Sequence, residues 1–84
     1  MINIKLLGGL KKTAGRSSLV LDKPIASISE ILTFLKYNVN DPRILDPDNI
    51  LVTINGVDSS MLSKDEDILK TGDSVTIVTI VHGG

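Results

Sequence analysis

Ile50-Leu51-Val52-Thr53-Ile54-Asn55-Gly56, followed by Leu69-Lys70-Thr71-Gly72-Asp73-Ser74-Val75 and a hydrophobic run ending His82-Gly83-Gly84, is the part of this 84-residue chain that decides its fold. The first segment is β-branched-rich and reads as a strand. Asn55-Gly56 is the strongest short hairpin signal, because both residues tolerate positive φ. Val57 begins a brief return strand. Thr71-Gly72-Asp73 is a tight turn into a last strand spanning 74–81. On that strand Val75, Ile77, Thr79 and Val81 share one face, and Thr76, Val78, Ile80 and His82 share the other.

Working outward, residues 2–7 also alternate: Ile2, Ile4 and Leu6 point one way, and Asn3, Lys5 and Leu7 the other. Gly8-Gly9 breaks the pattern, and the polar stretch Leu10 to Ser18 reads as a hairpin loop. Leu19-Val20-Leu21 is a second short strand, ended by Asp22-Lys23-Pro24. Ser27-x-x-Glu30 is a capping box. Behind it, Ile28, Ile31, Leu32 and Leu35 form one apolar stripe on a helix of about three turns. Asn38 to Asp41, then Pro42, close the helix. Two Asp-Pro pairs follow, with Ile44 and Leu45 expected to tuck back underneath. Ser63-x-x-Glu66 is a second capping box, predicting a short turn of helix with Ile68 and Leu69 inward. The order is strand, strand, helix, strand, short strand, strand. One amphipathic helix has one stripe to bury, and a mixed sheet of four to five strands is the surface available for it. The fold class is α+β, in one domain of residues 1–81 with a tail at 82–84.

Composition removes several functions. The net charge is −1, without the clustered cationic excess that phosphate neutralisation needs, which argues against nucleic acid. Phe34 and Tyr37 are the only aromatic residues, so there is no base-stacking platform. With no Cys, the chain has no disulfide, thiolate metal site or thiol nucleophile. The single His, His82, leaves no His cluster, so no metal site is expected. Leu7-Gly8-Gly9-Leu10-Lys11-Lys12 lacks the spacing of a phosphate-binding loop. Ser59 and Ser60 have no His–carboxylate arrangement to activate them. No stretch approaches the ~18 apolar residues of a membrane helix, and Met1-Ile2-Asn3-Ile4-Lys5 does not read as a signal peptide. The expected location is the cytoplasm.

The strand with its Asn55-Gly56 turn, the Gly72-Asp73 before the last strand, the Leu10-Lys11-Lys12-Thr13-Ala14-Gly15 segment and the Gly83-Gly84 end together resemble the sulfur-carrier branch of the ubiquitin-like (β-grasp) family. That branch includes the small subunit of molybdopterin synthase (MoaD), the thiamine-pathway carrier (ThiS), the ubiquitin-related modifier and archaeal small modifiers. The resemblance covers essentially the whole chain. His82 before the two glycines looks more like the ubiquitin-related modifier, whereas the molybdopterin-synthase subunit more often has a small residue there.

The resemblance implies that an ATP-dependent activating enzyme adenylates the Gly84 carboxylate. The chain would bind no cofactor of its own, and the ATP would belong to the partner. A sulfur donor then converts the acyl adenylate to a thiocarboxylate, which serves molybdopterin, thiamine or tRNA thiolation. Alternatively, a lysine amine of a target protein attacks it and the chain becomes a protein modifier. A third alternative is a non-covalent interaction module. In the first two, Gly83 and Gly84 are substrate residues, His82 is a recognition residue, and the catalytic side chains are the partner's. Glycines suit that role because without Cβ they thread a narrow channel. At a Gly frequency of ~7%, two terminal glycines arise by chance in roughly one chain in 200, so the tail alone is only suggestive. If the helix covers Val75 and Ile77, then Val78 and Ile80 stand exposed beside the tail as a partner surface that Leu7 and Leu51 extend. The alternative is that Ile44 or Leu45 covers them. Expected partners are the activating enzyme and a molybdopterin-synthase large subunit, a thiolation enzyme or target lysines.

Overall fold

A computed structural model of the chain describes residues 1–62 and 67–80. The elements are β1 (Ile2–Leu7), α1 (Gly9–Ala14), β2 (Ser18–Leu21), β3 (Ile25–Ser27), α2 (Ile28–Lys36), β4 (Ile50–Ile54), β5 (Val57–Asp58), β6 (Ile68–Lys70) and β7 (Ser74–Thr79). Five strands form one mixed sheet in the order β2-β1-β7-β4-β5. The first and last strands lie side by side and parallel, with Asn3 opposite Ser74 and Leu7 opposite Val78. β2 pairs antiparallel to β1, and β4 antiparallel to β7. This is the α+β, β-grasp architecture expected from the sequence.

The strand alternation read from the sequence becomes a two-sided sheet. Ile2, Ile4 and Leu6 of β1, Leu19 and Leu21 of β2, Ile50, Val52 and Ile54 of β4, and Val75 and Ile77 of β7 are buried on one face. Ile31 and Leu35 of α2 are fully buried in the same cluster, with Ile28 and Leu32 packed against it. Burying one such side chain stabilises by about 1.5–3 kcal/mol, so the sheet–helix contact is the main apolar contribution to the fold. The capping box forms as predicted: Ser27 Oγ accepts from Glu30 N at 3.1 Å, and Glu30 Oε1 accepts from Ser27 N at 3.2 Å. Asn38 closes the helix, its side-chain amide donating to Phe34 O at 2.8 Å. Each Asp-Pro pair starts a single 3-10 turn, with Asp41 accepting from Arg43 N and Asp46 from Asp48 N. Leu45 reaches the core and Ile44 packs against it.

Three elements, α1, β3 and β6, depart from the sequence reading. The stretch after Gly8 is a short helix, α1, before it is a loop. Only Leu10 of its six residues is buried, so there was no apolar stripe to announce it. Its start is held by a distant residue: Gly9 N donates to Thr79 Oγ1 at 2.9 Å. The second departure is Ile68–Lys70, expected as a turn of helix. It is a strand that pairs with β3 in a separate two-stranded ribbon. Leu69 faces inward as expected, but Ile68 is 38% exposed. Three-residue strands are too short to display a period, which is why neither was read. The Ser63–Glu66 capping box lies outside the described residues.

The Asn55-Gly56 and Thr71-Gly72-Asp73 turns are one structure. Asn55 lies at φ 50° and Gly56 at φ 86°, which supports the hairpin reading. Asn55 Oδ1 accepts from Ser74 N at 2.9 Å, and Asn55 Nδ2 donates to Asp73 Oδ1 at 3.1 Å. Asp73 Oδ2 in turn accepts from Lys70 N at 2.8 Å. These bonds hold the Asp73 carboxyl below the ordinary aspartate range, the Lys70 N–H first and the Asn55 amide second.

Two outcomes follow for stability. Gly8 (φ 66°, ψ −144°) sits in a region reserved for glycine, and an added Cβ would lie 2.8 Å from Thr79 Oγ1; Gly15 (φ 73°) meets nothing within 4 Å. Gly8→Ala should therefore cost about 2–3 kcal/mol in urea unfolding, and Gly15→Ala about 1 kcal/mol. Equal costs would mean the Gly8–Thr79 approach is unimportant. Asp73 supplies the second outcome. Because its folded pKa is depressed, its contribution is present above the unfolded value near 4 and lost as pH falls through the lower folded value. Thermal melts should place Asp73→Asn below the parent at neutral pH, with the two converging in strong acid. Curves that stay parallel would remove Asp73 from this role.

Candidate functional site: the tail end of the sheet

Val81, His82, Gly83 and Gly84 lie outside the described residues; the site's described part is the place where the chain leaves the sheet. β7 ends at Thr79. Ile80 N donates to Asn49 O at 2.7 Å, just before β4 begins. Thr79, the one buried polar side chain of the described core, accepts from Gly9 N on the other flank. The chain is thus anchored on two sides immediately before the tail. A threonine in an otherwise aliphatic inward row is the signal that could have flagged this contact, since a buried hydroxyl requires a partner.

The face of the sheet turned away from α2 carries the four apolar residues picked from the sequence. Strand register puts Leu7 of β1 opposite Val78 of β7, and Val78 opposite Leu51 of β4. The three form one row across the middle strands, and Ile80 extends it toward the tail. Leu7 is 38% and Ile80 42% exposed. Val78, expected to be exposed, is half-buried, because it occupies the centre of that row between two leucines. Ile44 and Leu45 do not account for this, since they belong to the core. The next row back is Lys5, Thr76 and Thr53. Lys5 is the one charge on the three middle strands of these rows, and among the described residues it forms no ion pair; on β5 the register carries its row on from Thr53 to Asp58. The end of the sheet nearest the tail is therefore apolar across its middle strands, with Lys5 one row behind.

Nothing described in this region is built for catalysis. Among the described residues the carboxyls with depressed pKa values are Glu30, Asp41 and Asp73, and none lies in these rows. Ser60 Oγ donates to Asp58 Oδ1 at 2.9 Å, but the same oxygen caps a 3-10 turn through Ser60 N, and no imidazole among the described residues could activate the serine. Among those residues no three His, Cys, Asp or Glu side chains could jointly hold a metal ion. None of their helices is long and apolar enough to cross a membrane.

Comparison with known proteins agrees with the fold. The small archaeal modifier protein 1 of Methanosarcina acetivorans superposes with a TM-score of 0.77 at 24% identity, covering 99% of this chain and 95% of that one. Urm1 of Trypanosoma brucei gives 0.75 at 27% identity, covering 99% and 94%. The chain matched in the Amycolatopsis orientalis BexX/CysO complex gives 0.73 at 22% identity and covers both chains completely. No curated protein sequence matches. The ThiS family model, however, matches residues 4–84, from the first strand through the two terminal glycines, and the chain belongs to the ThiS family.

Proposed function

We propose that this protein is a sulfur carrier whose reactive group is its own C-terminal carboxylate on Gly84. The observation that carries the reading is that the family match runs through Gly83 and Gly84 instead of stopping with the folded domain. A carboxylate is a poor electrophile because oxide is a poor leaving group. An activating enzyme removes that obstacle: a Gly84 oxygen attacks the α-phosphorus of ATP and pyrophosphate leaves. A sulfur nucleophile then attacks the acyl carbon, AMP leaves, and a thiocarboxylate remains. The product would give its sulfur to molybdopterin, thiamine or tRNA. The chain contributes an electrophile and a docking surface; ATP and the catalytic side chains belong to the partner.

The Leu7–Val78–Leu51 row with Ile80 is the docking surface in this reading. It is apolar, it adjoins the start of the tail, and an enzyme seated there would receive residues 81–84 directly. His82 would be read by the same enzyme. A second reading has support from the solved structure named as a small archaeal modifier protein. In it, a lysine amine of a target protein replaces the sulfur nucleophile and Gly84 ends in an isopeptide bond.

Intact mass spectrometry of the protein from its native cells tests the proposal. The expected result is a C-terminal peptide heavier by one sulfur in place of one oxygen, absent after Gly84 is deleted. Lysine peptides of other proteins carrying residues 71–84 of this chain in isopeptide linkage through Gly84, the tryptic remnant left after Lys70, would instead establish the modifier. A chain that is neither thiolated nor conjugated in cells that thiolate related carriers would overturn both. Val78→Glu should leave the fold intact and reduce adenylation by the activating enzyme at least tenfold, the effect of losing about 1.4 kcal/mol of docking.

A further inference from the structure

The Asn55-Gly56 turn holds a chemistry that the terminal reading does not use. An asparagine followed by glycine is open to spontaneous loss of ammonia, because glycine has no side chain to obstruct attack by its own amide nitrogen. The Gly56 nitrogen attacks Asn55 Cγ and a C–N bond forms. The Cγ–Nδ2 bond breaks, and ammonia leaves carrying the proton that the amide gives up. Water then opens the cyclic imide at either carbonyl to leave aspartate or isoaspartate. One water is consumed and one ammonia released, with no oxidant or enzyme required.

In this fold the carboxamide is held away from that attack. Its oxygen accepts from Ser74 N at 2.9 Å and its nitrogen donates to Asp73 Oδ1 at 3.1 Å. Asn55 N also donates to Ser74 O at 2.8 Å, so backbone and side chain are fixed to the start of β7 together. Turning Cγ toward Gly56 N gives up both side-chain bonds.

We propose that Asn55 is a deamidation site gated by this clamp: protected while the clamp is closed, and unable to close it again once converted. Aspartate at position 55 would still accept from Ser74 N. Its second oxygen would replace the N–H that Asp73 Oδ1 now accepts from. Two carboxylates would then face each other at hydrogen-bond distance with no donor between them. Asp73 cannot readily relieve this by turning, because its other oxygen accepts from Lys70 N. Isoaspartate would in addition lengthen the backbone within a two-residue turn that sets the β4–β5 register.

Two measurements on the full chain decide the matter. The first follows deamidation of the Asn55 peptide by mass at mildly alkaline pH, with the chain folded or in concentrated urea. The folded chain should react on the order of tenfold or more slowly, because reaction requires an opening that breaks two hydrogen bonds, and Asp73→Ala should speed it in the folded state. Equal rates in the two states would overturn the gating. The second compares melting temperatures. N55D should melt well below the parent, or fail to fold. N55D/D73N should recover, because the exchanged carboxylate and amide again place a donor opposite every acceptor. A double variant no more stable than N55D would overturn the charge conflict, and with it the proposal.

Discussion

Everything in this fold depends on the parallel pairing of β1 with β7. Parallel neighbours cannot be joined by a tight turn, so all that lies between residues 8 and 73 is in effect one long connection between two adjacent strands. Closing such a loop carries an entropic cost that grows only slowly with its length, and it is offset by what the pairing buries. Ile4 and Leu6 meet Val75 and Ile77 in the middle of the sheet, all fully buried. With that pair in place, β2 and β4 have strands to join on either flank, and α2 has a continuous apolar face to cover. Thr79 extends the same logic, since the last residue of β7 caps the helix that directly follows β1.

The sequence exposes the parts of this design that repeat. Alternation in residues 2–7 and 74–79, the stripe Ile28–Ile31–Leu32–Leu35, the Ser27–Glu30 capping box and the Asn55-Gly56 turn are all local patterns that the structure reproduces, although the last strand stops at Thr79 and leaves out Ile80, expected to belong to it. What stayed hidden rests on contacts between distant residues. α1 has one buried side chain and an N-terminal partner 70 positions away. β3 and β6 are three residues each and exist because they pair with each other across the chain. The Asn55–Asp73 bond joins two turn signals that look independent at a separation of 18 residues.

The candidate site divides along the same line. Alternation set Leu7 apart from Ile2, Ile4 and Leu6, and Val78 and Ile80 apart from Val75 and Ile77, because side-chain direction has a period of two; Leu51 enters as an extension of that patch. Alternation cannot say which residues stand opposite one another. Register does that, and it turns Leu7, Val78 and Leu51 into one row, with Lys5 a single row behind. Thr79 was assigned to the correct face without its partner, since nothing near Thr79 in the sequence marks Gly9. A surface is thus legible as a face before it is legible as a site.

Because β4 runs antiparallel to β7, the Asn55 turn and the exit of the tail stand at opposite ends of the same strand pair. Ile54 lies opposite Val75 and Ile50 opposite Thr79. From Ser74 to Ile80 the separation is about 20 Å at the rise of an extended strand. At that distance a charge change at the solvated Asn55 turn is largely screened before it reaches the tail. The two ends can therefore be altered independently. A change at the turn acts on how firmly β4, β5 and β6 are held to β7, whereas a change at Leu7, Val78 or Ile80 acts on what the outward face can bind. If the proposed carboxylate on Gly84 is the reactive group, this separation has a consequence: damage at the turn would shorten the life of the domain while leaving that carboxylate chemically competent for as long as the sheet survives.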